Sequence, residues 1–182
     1  MSEGQRVSIQ TDHLPAGPLT ADIFCVRGLE YGQMVFSADL RMPRALLTRR
    51  VTFAAAHRYR RPEWSIEKNE EVFGLCARES YHGHSYACEL TIAGEIDPVT
   101  GFIFDLAELD RVLAEQVKHR FDHRNINIDV PEFADGRLVP SGENLARFIF
   151  ERVSDTLPSS VNVIKVTIAE DHTLSATYEG ER

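Results

Sequence analysis

Tyr81-His82-Gly83-His84-Ser85-Tyr86 is the stretch that decides the reading of this chain. Strand side chains alternate faces, so in an extended run His82 and His84 project to one side, and Gly83 leaves open space on the other. The same parity continues through Tyr86, Cys88, Leu90 and Ile92, while Ser85, Glu89 and Thr91 fall opposite. The two histidines therefore end a core-facing row. Side-by-side imidazoles are half of a zinc site, because a neutral ring nitrogen is a good ligand for that ion. Buried histidines are costly unless their nitrogens are satisfied, and either a metal or a hydrogen-bonded structural pair would do so.

Immediately upstream, Thr48 to His57 reads as a second strand with Val51, Phe53, Ala55 and His57 on one face. His57 thus ends an inward row as His82 does, as a third ligand candidate or a satisfied core-edge histidine. Between the two strands runs a polar stretch, Arg58 to Tyr81, read as a loop carrying Arg58, Arg60, Arg61, Lys68 and Arg78. Such a basic loop is either solvated or available to a phosphorylated substrate beside the metal. Cys76 lies in it, six positions before His82. It is a fourth zinc ligand, a reactive thiol with a shifted pKa, or a thiol without a role.

Downstream, Asp97-Pro98-Val99-Thr100-Gly101 is turn chemistry, and Phe102-Ile103-Phe104 reads as a short strand. Asp105 begins a helix with Glu108 in capping-box position, and Leu106, Leu109, Leu113 and Val117 form its apolar stripe. The helix leads into Asp122-His123, an adjacent pair whose side chains are expected to diverge. It is either an exposed helix end or part of an acid–base arrangement. Ser141 is the expected N-cap of a second helix, with Leu145, Phe148, Ile149 and Val153 inside and Glu143 in its first turn. Strands over 161–169 and 173–178 follow, and Glu170 ends the row of Ile164, Val166 and Ile168. A carboxylate on an apolar face needs a partner, and a guanidine-like ligand edge is one. The order predicts an α+β fold, an antiparallel sheet with helices on one face.

The chain has 182 residues, 43% hydrophobic and 26% charged, with a net charge of -8. That is one ordinary globular domain, and its charge argues against a general nucleic-acid binder. It contains no apolar run of membrane-spanning length and no signal-peptide pattern. Cys25, Cys76 and Cys88 form no CxxC pair, so a cytoplasmic location is expected. Residues 1–47 read as an N-terminal extension, a tail plus a hairpin around Gly28 and Gly32, ahead of a domain over 48–182.

Several motifs stand in order: Phe53-Ala54-Ala55-Ala56-His57-Arg58, Cys76 separated by five residues from His82-Gly83-His84, Gly94-Glu95-Ile96-Asp97-Pro98, Leu106-Ala107-Glu108-Leu109, Asp122-His123, Glu143-Asn144 and Glu170. From roughly Val51 to Gly180 the chain resembles the 6-pyruvoyltetrahydropterin synthase family, which includes 6-carboxytetrahydropterin synthase of the queuosine pathway. The resemblance implies a tunnelling fold: a four-stranded antiparallel sheet per subunit, three sheets closing into a barrel, and two barrels stacked into a hexamer. It implies that His57, His82 and His84 hold Zn2+ with a fourth position open. Cys76 would be the base, with Asp122 and His123 completing the relay from a neighbouring subunit. Glu170 would grip the pterin, with Glu143 beside it.

The implied reaction is triphosphate elimination from 7,8-dihydroneopterin triphosphate. The alternatives are carbon–carbon cleavage to 6-carboxytetrahydropterin and acetaldehyde, or a non-catalytic zinc- and pterin-binding protein. Five residues between Cys76 and the HGH fit the pyruvoyl branch. Three departures stand out: Glu79, where a rarer variant keeps its base; Gly142, where a hydroxyl residue is usual; and Tyr81, where the pyruvoyl branch often has Gly.

Overall fold

The computed structural model describes residues 42–181, so the expected N-terminal hairpin lies outside the described residues. Two long strands form the frame, β1 over Arg44–His57 and β2 over His82–Glu95. They pair antiparallel along their whole length, from Arg44 opposite Glu95 to His57 opposite His82. The first strand begins at Arg44, earlier than the expected Thr48, because the ladder continues to the Asp97 turn. The strand expected over Phe102-Ile103-Phe104 does not form. Its Phe102 carbonyl accepts one bond from the Asp97 N–H, which closes a turn without starting a ladder.

The stretch read as a loop contains helix α1, Ile66–Phe73, and a 3-10 turn, Gly74–Ala77. Apolar periodicity missed α1 because its anchor is polar. Asn69 is its buried residue, and its side chain donates to the carbonyls of Arg61, Trp64 and Ser65 and accepts from the Arg61 N–H.

Helix α2, Leu106–Leu113, is capped by Asp105, which accepts from the Glu108 N–H at 2.9 Å. The Glu108 side chain turns to Arg111 instead of completing a capping box. Leu106 is exposed, whereas Leu109, Leu113, Val117 and Phe121 are fully buried. Residues four apart drift by about 40° per step on a regular α-helix. The π-helical turn Ala114–Lys118 fits more residues into one turn, which offsets that drift and keeps Val117 and Phe121 on the core side. One turn of α3, His119–Phe121, completes the run.

Strand β3, Arg124–Asn125, then pairs parallel to Ala55 and Ala56 of β1, followed by α4, Ile126–Asp129. Helix α5, Gly142–Thr156, starts at the Ser141 N-cap as expected and buries Leu145, Phe148, Ile149 and Val153. Strands β4, Asn162–Ala169, and β5, Ser175–Tyr178, complete the sheet.

The sheet order is β3-β1-β2-β4-β5. It is a mixed five-stranded sheet and corrects the expected four antiparallel strands: the Asp122 turn lets Arg124 and Asn125 add a short parallel member. The α+β class stands. In β4 a register shift between Thr91 and Ile92 of its partner inverts the parity. Ile164 is therefore exposed and Val163 packs on the core, which removes Ile164 from the row that ends at Glu170. The core joins Phe53, Tyr86, Leu90 and Ile92 of the sheet to Leu109, Leu113, Leu145 and Ile149 of the helices. Each such side chain contributes roughly 1.5–3 kcal/mol through burial. Among the described residues no helix is long and apolar enough to cross a membrane.

Candidate active site

Strand register brings the three histidines together. His57 and His82 are direct cross-strand partners, and His84 faces Ala55 one step inward. One ligand atom from each lies within 4.8 Å of the others, and the His57 and His82 Nε2 atoms are 3.1 Å apart. Gly83, between the two β2 histidines, does not face open space. A Cβ there would stand 3.2 Å from the Ala55 carbonyl oxygen, a tight approach that a larger residue would accommodate only if the backbone shifted.

The neighbours of the triad fix its chemistry. His57 is fully buried, and its Nδ1 lies 2.9 Å from the Pro140 carbonyl. A carbonyl only accepts, so Nδ1 carries the proton and the Nε2 lone pair faces the other two rings. Burial, partly opposed by the Pro140 bond and reinforced by the neighbouring imidazoles, lowers the His57 pKa to about 4. Burial and then His84 also lower His82, against the pull of Glu170. Neutral rings are the form that ligates a metal. The His84 Nε2 atom is buried with no hydrogen-bond partner, and a buried polar atom without a partner calls for a ligand. The Tyr86 hydroxyl reaches both His57 ring nitrogens, at 3.1 and 3.3 Å.

Glu170 closes the corner. It is 7% exposed, with Oε2 3.8 Å from His84 Nε2 and Oε1 accepting from the Tyr59 hydroxyl at 3.0 Å. Gly142 packs here: a Cβ would stand 3.2 Å from Ala176, a tight contact, and 3.9 Å from Glu170. Cys76 reaches the same corner because its carbonyl accepts from the Tyr59 N–H at 2.8 Å. Burial first, and then the Glu170 charge, raise the Cys76 thiol pKa. Glu143 is exposed on the first turn of α5, within electrostatic reach of Tyr59. Glu79 is exposed in the turn before β2.

Asp122 and His123 lie elsewhere, on the edge of β1. Asp122 Oδ1 accepts from the Ala54 N–H at 2.9 Å, and the His123 N–H donates to the Ala54 carbonyl. The two side chains do not diverge as expected. His123 has φ 58, which curls its ring back until Nδ1 is 3.2 Å from Asp122 Oδ1. The Ala54 bond, ahead of the His123 charge, holds the Asp122 carboxyl below the usual carboxylate range.

Sequence reasoning missed Tyr59, Pro140 and the role of Tyr86. Tyr59 shares the parity of His57 and Tyr86 that of His84, a signal available in the alternation. Pro140 carries no signal, since it acts through its backbone oxygen.

Comparison with known proteins bears on this corner. The family model described as 6-pyruvoyl tetrahydropterin synthase matches residues 46–181. The 6-pyruvoyl tetrahydrobiopterin synthase of Homo sapiens is 38% identical over 137 residues, covering 75% of this chain and 92% of that protein. The solved structure of 6-pyruvoyl tetrahydropterin synthase from Caenorhabditis elegans superposes with TM-score 0.71 at 35% identity, covering 78% of this chain and 99% of that one. A more distant relative, the dihydroneopterin monophosphate aldolase of Pyrococcus furiosus, is 29% identical over 136 residues, covering 75% and 98%. On the strength of a match that runs from the first strand to the last, this chain belongs to the 6-pyruvoyl tetrahydropterin synthase family.

Proposed function

We propose that this chain is a zinc-dependent lyase that converts 7,8-dihydroneopterin triphosphate to 6-pyruvoyltetrahydropterin with elimination of triphosphate. The observation that carries the reading is one corner in which three imidazole ligand atoms lie within 4.8 Å beside a buried carboxylate, Glu170, and a thiol, Cys76. Family membership and the relatives named as synthases support the reaction.

The donor set fits the metal. His57, His82 and His84 offer three imidazole nitrogens within 4.8 Å of one another, His84 Nε2 has no hydrogen-bond partner, and the His57 and His82 Nε2 atoms, 3.1 Å apart, are close enough to share one ion. When bound, the ion polarises the hydroxyls of the substrate side chain and acidifies the protons beside them. The protein's own groups do the rest. Glu170 accepts the N–H groups of the pterin edge, and Tyr59 fixes its orientation through Oε1. Glu143 lies beside the ring. Cys76 Sγ takes the carbon-bound proton, which lets the triphosphate leave. Its raised pKa means that a positive charge must first draw the thiol toward thiolate. Asp122 and His123 of a neighbouring copy supply the second half of that relay.

That last role requires assembly, as a hexamer of two stacked three-subunit barrels. The sheet edge supports closure: among the described residues, β3 covers β1 only at Ala55 and Ala56, and β5 is the opposite edge. Subunit pairing would remove both. The free thiols Cys76 and Cys88 fit a reducing cytoplasm.

A second reading is carbon–carbon cleavage to 6-carboxytetrahydropterin and acetaldehyde; the aldolase relative supports carbon–carbon cleavage only as a class of reaction. Identifying the pterin formed from dihydroneopterin triphosphate separates them. The 6-pyruvoyl product with free triphosphate supports the first, and acetaldehyde the second. No turnover, with Cys76→Ala losing metal, indicates a non-catalytic binding protein.

A further inference from the structure

Beyond the triad, the ends of β1 and β2 open on a cavity that none of the groups above uses. Arg58 and Tyr81 are the next residues out from the His57–His82 pair. They line a cavity of about 460 Å³ together with Arg60, Pro62, Asn127 and Gly136. Alternation along the chain after His57 sends neighbouring side chains to different sides. Tyr59 turns toward His57 and Glu170, while its neighbours Arg58 and Arg60 both line the cavity.

The two guanidiniums are the unpaired ones that share a concavity; Arg78, Arg124 and Arg137 also lack an ion pair among the described residues but do not line it. Most described arginines, Arg49, Arg61 and Arg111 among them, stand within ion-pair distance of a carboxylate. Among the described residues Arg58 and Arg60 have no such partner, although the protein carries a net charge of -8. Two unpaired cations sharing one concavity repel each other, and a polyanion between them relieves that repulsion.

The walls are built around them. The Asn127 side chain clamps the Arg58 backbone from both sides, accepting from its N–H at 2.8 Å and donating to its carbonyl at 3.1 Å. The Arg58 guanidinium lies over the Tyr81 ring, 4.8 Å from its centroid, which keeps the planar fork oriented. Tyr81 holds φ 53, a left-handed conformation that side chains rarely adopt, so the ring is placed against a backbone preference. Opposite, Gly136 has φ 72, and a Cβ there would come within 2.2 Å of Pro62. Only glycine allows the 134–136 turn to form that wall.

We propose that this cavity is the subsite for the substrate's phosphate chain, with Arg58 and Arg60 binding non-bridging phosphate oxygens of a polyphosphate. The inference rests on the proposed reaction, in which triphosphate is the leaving group. Guanidiniums at this point would hold the chain during binding and balance its charge as the bond to carbon breaks.

The test uses the full-length, metal-loaded protein with inorganic tripolyphosphate and unphosphorylated neopterin as separate probes. In Arg60→Gln, tripolyphosphate binding and the KM for dihydroneopterin triphosphate each weaken by about tenfold or more, the loss expected for a charge-assisted contact, and neopterin affinity is unchanged. Arg58→Gln behaves alike, and Arg60→Lys recovers part of the loss. Unchanged tripolyphosphate binding in both Gln variants overturns the proposal, as does an equal loss of neopterin affinity. If the wild type binds tripolyphosphate through Arg60 but neither binds neopterin nor turns over the substrate, the subsite stands and the proposed reaction fails.

Discussion

Two histidine groups contact the same strand and are built to different degrees. At the end of β1, His57 is fully buried, fixed by Pro140 and faced by His82 and His84. Three residues earlier, Ala54 anchors Asp122 and His123 at the strand edge, where the His123 side chain is 85% exposed. The first group has its surroundings supplied by one chain. The second is positioned by its backbone, with its ring directed away from any packed wall. That exposure leaves the His123 ring accessible, which the proposed role in a neighbouring subunit's site requires.

The largest expected effect tests that contrast directly. His84→Ala should lose bound zinc and slow turnover by about 10³-fold or more, the scale of several kcal/mol of lost metal stabilisation. His123→Ala should keep its zinc. Metal content measured beside turnover decides this, and full zinc occupancy in His84→Ala would break the assignment. Next, Cys76→Ala should retain metal and lose about 10²–10⁴ in turnover, the usual contribution of a positioned base. Glu79→Gln should change turnover little; the reverse pattern moves the base to Glu79.

The comparison sharpens further on mixing. Inactive His57→Ala and inactive His123→Ala, unfolded and refolded together, should regain activity, since some sites then combine an intact triad with an intact Asp122–His123 pair. Recovery confined to the separately refolded parents' residual level would place both groups in one chain's site. The smallest effect concerns pH. Because the Ala54 N–H lowers the Asp122 pKa from its usual 3.8, the contact stabilises the folded chain above that value. It is lost only as pH falls through the lower folded value. Protection of the Ala54 amide against exchange, taken relative to a free amide, should therefore persist at pH 3.8, the ordinary Asp value, and be lost only below it, while Asp122→Asn removes the step.

Much of the site was legible because it rests on alternation. His82 with His84, and His57 at the end of the Phe53–Ala55 row, follow from strand period alone. The Ser141 cap and the α5 stripe follow from helical period in the same way. Errors fell where neither period applies. Helix α1 hangs on buried Asn69 and so has no apolar stripe to read. Ile164 sits at a register shift that inverts parity. The Asp122–His123 contact depends on a positive φ, which residue type does not announce at a histidine.

The sequence by itself determined the α+β class, the two inward rows that end in histidine, the caps of the major helices and the family likeness. Each is a local pattern or a string of motifs, encoded within a few residues of itself. Only the tertiary structure decided that the Pro140 carbonyl sets the His57 tautomer, that Tyr59 holds Glu170 beside His84, and that Arg58 and Arg60 share a cavity with Asn127 and Gly136. Those groups are distant along the chain, and they meet only because packing of the helices on the sheet leaves them one place to go.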